Sequence, residues 1–426
     1  MRNAMDIRSR KGIWTAKYAF LNAAYYAGFC TVHAYAAVYL LSVGFTNTEI
    51  GILLATANVL SAVAQPVFAA FIDKPGILTN RRYVFASIIS IASLVLLLMF
   101  IPGYKPAIFL IYMLIYTIQF TYQPVVTALC FEYQSAGCDI FFGLARGLGS
   151  ASFAVTSAFI GRLTELHGVK VLLIADLVIM ALSFISILIF KKPVSSPVSD
   201  TPDTTAVSHG KENKAHNNIF EFGRAYPAFM LLLAATVCFF FAHNMINDFL
   251  IQIIRSLGGA ETQLGYATFL AALLELPVMA LITVLVKKIS PNDMLIVSGI
   301  SFLIKTLILV FAADMLALYV SQSFQMLAYA VFVPASAYYV SRHMQEMDQV
   351  KGQALVSSAI TVGGVFSNLV CGRILDVFGI RAMLITGSVI CSIGVVTVII
   401  AMKKGDSGKT VGTVLLSDPR QIIRIK

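Results

Sequence analysis

Charge is scarce in this 426-residue chain: Asp, Glu, Lys and Arg make up 12% of it, where soluble globular domains carry roughly 25%. Hydrophobic residues reach 58% and the mean hydropathy is +0.83. That is more apolar side chain than the core of a water-soluble domain can hide, and it excludes a soluble enzyme, a nucleic-acid binder and a disordered scaffold. The net charge of +10 does not reopen the nucleic-acid reading, because in so apolar a chain basic residues flank membrane spans. Histidine is sparse too. Of six, His209, His216 and His343 fall in a polar linker or a surface turn, and no HExxH or Ser-His-Asp arrangement exists. The six cysteines form no CxxC pair, which excludes a zinc site or a disulfide framework and leaves them as small buried hydrophobes. Gly408-Lys409-Thr410 imitates the end of a phosphate-binding loop, but Lys403 stands where its first glycine belongs. No catalytic residue, metal or cofactor is expected.

What the chain has is long apolar runs. A helix crosses the hydrocarbon core in about 20 residues, and runs bounded by Gly, Pro and charge predict twelve spans. They cover 14–42, 48–72, 82–101, 106–133, 140–164, 170–190, 226–255, 262–286, 293–312, 315–341, 350–375 and 380–402. The first is too long for the core of a cleaved signal and reads as a retained span. With both termini on the cytoplasmic side, 23 of the 31 Lys and Arg fall inside, six outside and two (Arg146 and Lys305) within spans. The positive-inside rule selects that orientation. Residues 193–224, rich in Pro, Ser, Thr and Asp, read as a cytoplasmic linker. It divides a first six-helix bundle, 1–192, from a second, 225–403, followed by a cytoplasmic tail, 404–426.

An internal repeat supports the division. Gly161-Arg-Leu-Thr-Glu-Leu-His-Gly-Val-Lys170 joins spans five and six, and Gly372-Arg-Ile-Leu-Asp-Val-Phe-Gly-Ile-Arg381 joins spans eleven and twelve, 211 residues later. Two parallel six-helix repeats suit a rocking carrier with its site at the midplane.

After span two come Gln65-Pro66-Val67-Phe68, Asp73-Lys74-Pro75-Gly76 and the pair Arg81-Arg82. This stretch resembles the Gly-x-x-x-Asp-Lys/Arg-x-Gly-basic-basic signature of the major facilitator superfamily. Ala69 replaces the first glycine, and Ile77 to Asn80 separate the second from the arginines. The resemblance implies a cytoplasmic gate of Asp73, Lys74, Arg81 and Arg82, with the arginines holding the halves together. Phe142-Gly143-Leu144-Ala145-Arg146 is similar to a segment of the lactose-permease type of sugar and nucleoside proton symporters. That likeness implies that Arg146 binds substrate hydroxyls, that Phe153 stands where a tryptophan stacks on the sugar ring, and that Glu275 is a substrate-binding glutamate. The departures matter as well. The type's span-four glutamate falls at Ala128, its span-seven aspartates at Asn244 and Asn247, its lysines at Gln322 and Ile360, and its span-ten histidine and glutamate at Gln325 and Ala328. Charges have gone from both sides of the expected ion pairs, which avoids a lone buried charge costing about 3–5 kcal/mol.

Read on their own, the polar residues within spans divide as follows. Arg146 either reaches substrate or snorkels to the surface. Glu275 and Lys305 lie near mid-span, where each costs roughly 2.5–3.5 kcal/mol unless it faces a cavity or a partner; proton coupling through Glu275, Asp248 and Lys305 stands beside a structural Glu275–Lys305 pair. Asn244, Asn247 and Asp248 form one stripe at i, i+3 and i+4, and Gln322 and Gln325 another, suited to lining a cavity or joining helices. Asn22 and Tyr26 on span one divide the same way. The expected molecule is therefore an all-α major facilitator protein of twelve helices, monomeric, in the cytoplasmic membrane. It would move a small sugar, glycoside or nucleoside with a proton; export of amphipathic compounds is the alternative, and a membrane sensor would differ by moving no solute. In a cysteine-free background, single thiols placed in 193–224 should resist an impermeant reagent in intact cells, and labelling from outside would reverse the orientation.

Overall fold

The computed structural model describes residues 11–414 except 73, 75–77, 102 and 193–218. Most of the expected linker, the end of the tail, and Asp73 with Pro75 and Gly76 thus lie outside the described residues. Every element found among the described residues is helical. Helix α1 runs Lys11–Phe29, passes through a π-helical turn, Cys30–Ala34, and resumes at Ala36–Ser42. Then follow α2 (Asn47–Ile72), α3 (Asn80–Phe100), α4 (Lys105–Ser135), α5 (Phe142–His167) and α6 (Lys170–Ile189). After a short helix, Ile219–Ala225, come α7 (Pro227–Asp248, continued as Leu250–Ser256), α8 (Glu261–Lys288), α9 (Pro291–Val310) and α10 (Met315–Ser323, continued as Gln325–His343). The run Glu346–Val414 breaks at Gly379 into α11 and α12.

Nine of the described helices are long and apolar enough to cross a membrane, and the last of them spans twice. Helices α1 and α5 fall short of that hydropathy and complete the twelve. Their polarity has a cause: both carry faces turned towards the space between the bundles. The helix starts follow local chemistry. Thr79 accepts from the Arg82 amide at α3, Ser290 from Asp293 ahead of Pro291 at α9, and Asp314 from Ala317 at α10. These are the side chains that satisfy the free amides of a first turn.

The duplication is visible in the backbone. Gly168 and Gly379, equivalent in the repeat, both take φ near +80°, at 82° and 80°, where a side chain is strained, and each ends a helix. Prolines sit inside α2, α4, α8 and α10 at 66, 124, 277 and 334, two pairs related by the same repeat. Each removes a helical hydrogen bond and favours a bend there.

The bundles meet at the end remote from the 193–218 stretch, hereafter the far end; the opposite is the linker end. There the repeat's acidic residue reaches across to a helix start in the other bundle. Asp376 accepts from the Asn47 amide at 3.1 Å and its side-chain amide at 2.8 Å, and from the Thr48 amide at 2.7 Å and hydroxyl at 2.5 Å. Its counterpart Glu165 accepts from the Thr262 amide, at the start of α8, at 3.0 Å. A carboxylate suits the exposed amides and partial positive charge of a helix N-terminus. Glycines let the backbones close: a Cβ on Gly372 would lie 2.5 Å from the Asn47 carbonyl, one on Gly265 2.5 Å from that of Ser157, and Gly51 and Gly161 are as tightly placed. The far end is thus closed by hydrogen bonds and close backbone packing. Replacing Gly51 by Leu should therefore unseat α2 from α11. Electron–electron distance measurements between spin labels in the turns at 168 and 379 should show longer separations than in the parent.

Candidate functional site

Between the bundles, midway along the spans, two polar clusters face each other. On the first bundle, the Arg146 guanidinium lies 4.3 Å over the ring of Tyr26 and donates to the Ser150 hydroxyl at 2.7 Å. Arg146 and Ser150 are one turn apart on α5, so the helix presents them together. The Tyr26 hydroxyl accepts from Gln123 of α4 at 3.0 Å. Arg146 thus points inward and does not snorkel, held by a cation–π contact worth about 1–2 kcal/mol when desolvated. Aromatic rings continue the wall: Phe29 stands 6.2 Å from Phe153 and 5.4 Å from Phe120.

On the second bundle the polar groups form a chain. Lys305, buried on α9, donates to the Gln325 side-chain oxygen at 2.7 Å, and the Gln325 amide nitrogen donates to Glu275 of α8 at 2.9 Å. The direct Glu275–Lys305 pair, the structural alternative, is not found among the described residues; an uncharged amide bridges the two. Its orientation is dictated, since the oxygen must meet the ammonium and the nitrogen the carboxylate. Arg146 and Glu275 lie within electrostatic reach of one another across the interface, with no ion pair between them among the described residues. Tyr329 on α10 is within reach of Arg146 as well. Its ring stacks on His243 at 5.2 Å, and His243 shares a 2.9 Å hydrogen bond with Asn247. The space has a guanidinium on one wall, a carboxylate on the other, and amides and rings between.

Other candidate residues sit elsewhere. Asn22 is buried and donates to the Ala145 carbonyl at 2.8 Å, joining α1 to α5 where Gly149 leaves no room for a Cβ. Asn244 donates to Phe240 of its own helix and packs against Gly364 of α11. Gln322 is 1% exposed, with an unpartnered amide nitrogen, so it faces the packed bundle. Asp248 lies higher, towards the far end, within reach of Tyr116 and Asn368. Of the implied gate, Lys74 is exposed, and Arg81 donates to the Ile187 and Phe190 carbonyls at 2.9 and 3.4 Å. That ties α3 to the end of α6 within one bundle, so in this state Arg81 does not hold the halves together. The Arg82 amide caps α3 through Thr79.

Two residues gain importance only from the structure. Ser150 had one available signal, its spacing of four from Arg146. Asp176, 3% exposed inside the first bundle, is an acid seven residues into an apolar span, and that position alone marks it.

Two six-helix bundles with opposed charges facing each other across their interface make the architecture of a membrane transporter. The chain belongs to the MFS_1 like family, within the major facilitator superfamily, whose profile matches residues 15–401. No curated protein sequence matches it. Among solved structures it is similar to the nucleoside transporter NupG, with a TM-score of 0.70 at 13% identity over 92% of this chain and 98% of that one. A single-site mutant of NupG gives 0.71 at 12% over 92% and 99%. A bacterial homologue of the human lysosomal transporter Spinster, inward-facing and unoccupied, gives 0.62 at 10% over 92% and 97%. These likenesses establish the fold.

Arg146→Lys should weaken ligand binding about tenfold or more, because an ammonium loses the planar contact with Tyr26 and the two-pronged grip on hydroxyls. Isothermal titration of the detergent-solubilised protein checks this, with Arg81→Lys as the control that leaves affinity unchanged.

Proposed function

We propose that this chain is a secondary active transporter that carries a small polar solute (a sugar, glycoside or nucleoside) together with a proton by alternating access. The observation that carries this reading is the unclosed gap between Arg146 and Ser150 on one bundle and Glu275 and Gln325 on the other. A polyhydroxylated ligand fits that chemistry: a guanidinium donates to hydroxyl oxygens, a carboxylate accepts from hydroxyl protons, and Phe153 and Phe29 offer apolar faces to a ring. That a solved structure of like fold is a nucleoside transporter supports the substrate class.

Access alternates by exchange of seals. The far-end seal of Asp376 and Glu165 is made, which leaves the linker end as the route to the site. With the linker end on the cytoplasmic side, as the distribution of basic residues supports, this state faces inward. Opening the far end exposes two helix N-termini and two carboxylates to water, which solvates both well. Closing the linker end would bring the stretch after α2 into play, including Asp73, Lys74, Arg81 and Arg82.

Coupling falls to Glu275. It is the carboxylate of the site, it lies on the cavity wall, and loss of its charge changes both its bond from Gln325 and its attraction for Arg146. Lys305 sets the orientation of Gln325, and Asp248 plays the lesser part. Glu275→Gln should abolish proton-driven accumulation in proteoliposomes while counterflow exchange persists. Full accumulation by that variant would remove Glu275 as carrier, loss with Asp248→Asn instead would move the role there, and extrusion of amphipathic compounds under the same gradient would favour an exporter.

A further inference from the structure

The first bundle holds a buried acid that the substrate site does not use. Asp176 is the seventh residue of α6, about 9 Å from the helix start at 1.5 Å per residue, and is 3% exposed. One carboxyl oxygen lies 2.7 Å from the Thr31 hydroxyl of α1; the other has no partner. No Lys, Arg or His reaches it among the described residues. Asp176 and Thr31 line a small, partly open pocket of about 20 Å³ with Tyr39, Tyr112 and aliphatic side chains of α3, α4 and α6, while the unpartnered oxygen itself is fully buried. That is room for one water molecule.

An ionised carboxylate there lacks a counter-charge, and burying an unpaired charge within a span is unfavourable. Two cations could neutralise it. A sodium ion needs several oxygens around it at once, and most of this lining is Val, Leu and Ile. A proton needs only one acceptor for the new O–H, and the Thr31 oxygen 2.7 Å away supplies it while the Thr31 hydroxyl turns to the Gly28 carbonyl. The titratable groups facing Asp176 are the tyrosines Tyr39 from α1 and Tyr112 and Tyr122 from α4, whereas α3 presents Val95 and Leu98.

We infer that Asp176 is a proton-binding site of the first bundle and that its occupancy sets the π-helical turn of α1. The contact with Thr31 supplies the second part. Thr31 belongs to the turn Cys30–Ala34, and such turns are sites of helix rearrangement at functional positions. His33 lies in the same turn, its ring 4.0 Å from Phe29 and 3.8 Å from Tyr116, with both nitrogens buried and unbonded. A change at Thr31 is therefore passed to the rings of the cavity wall. Protonation takes one proton from water and forms one O–H bond at the oxygen beside Thr31; that O–H donates to the Thr31 oxygen, the Thr31 hydroxyl donates to the Gly28 carbonyl at 2.9 Å, and the free oxygen becomes the carbonyl of the neutral acid. The site is separate from Glu275, and its test does not depend on transport.

The test is infrared difference spectroscopy of the purified wild type against Asp176→Asn, in H2O and in D2O at neutral pH. The expected result is a protonated-carboxyl band in the wild type that shifts in D2O and is missing from Asp176→Asn, but persists in Glu275→Gln. No such difference, or a wild-type band that disappears when sodium replaces choline, overturns the proton assignment. Hydrogen–deuterium exchange of a peptide covering 28–36, corrected for chemical exchange, should respond to pH in the wild type and not in Asp176→Asn. A response that survives in the variant overturns the link to the turn.

Discussion

The structure depends on two carboxylates seated on two helix N-termini. Asp376 and Glu165 each bind free backbone amides of the opposite bundle and so hold the two bundles together at the far end. A helix cap contributes about 1 kcal/mol and the interaction with the helix dipole up to about the same again. The glycine contacts add close van der Waals packing but no directional bond. The seal is thus strong enough to bias the population and weak enough to release, since water solvates both partners once they part. A seal made of buried ion pairs would trap one state.

The repeat supplies both halves of the seal at once. The acid and the two glycines of the segment beginning at Gly161 recur in the one beginning at Gly372. Their receptors also match: Asn47-Thr48 with Gly51, and Glu261-Thr262 with Gly265. Backbone amides donate to both carboxylates, joined at Asp376 by the Asn47 side-chain amide and the Thr48 hydroxyl.

Much of this could be read from the sequence, for identifiable reasons. Twelve spans and their pairing follow from apolar length and from a ten-residue repeat. Arg146 and Glu275 stand out because a charge within a span needs a reason. What could not be read is which way a polar residue faces. Asn22 and Tyr26 lie four apart on α1, yet one is used up on the Ala145 carbonyl and the other meets Arg146. Gln322 and Gln325 diverge because α10 is interrupted at Phe324, which breaks the expected stripe. Arg81 looked like a strap between halves because its sequence neighbours suggested a gate; the carbonyls it meets belong to α6, 106 and 109 residues away. Asp176 went unnoticed because a single acid in a hydropathic run barely alters its average.

The chain Lys305–Gln325–Glu275 lies wholly within the second bundle. If the bundles move as rigid bodies its internal distances stay fixed, so its energy would change with the charge of Glu275 and not with the movement itself. Across the interface the separation of Arg146 from Glu275 would vary, together with those of Asp376 and Glu165 from their helix starts. Within the site the opposed pair would act like a spring between the bundles, and a bound solute would set the spring's rest length.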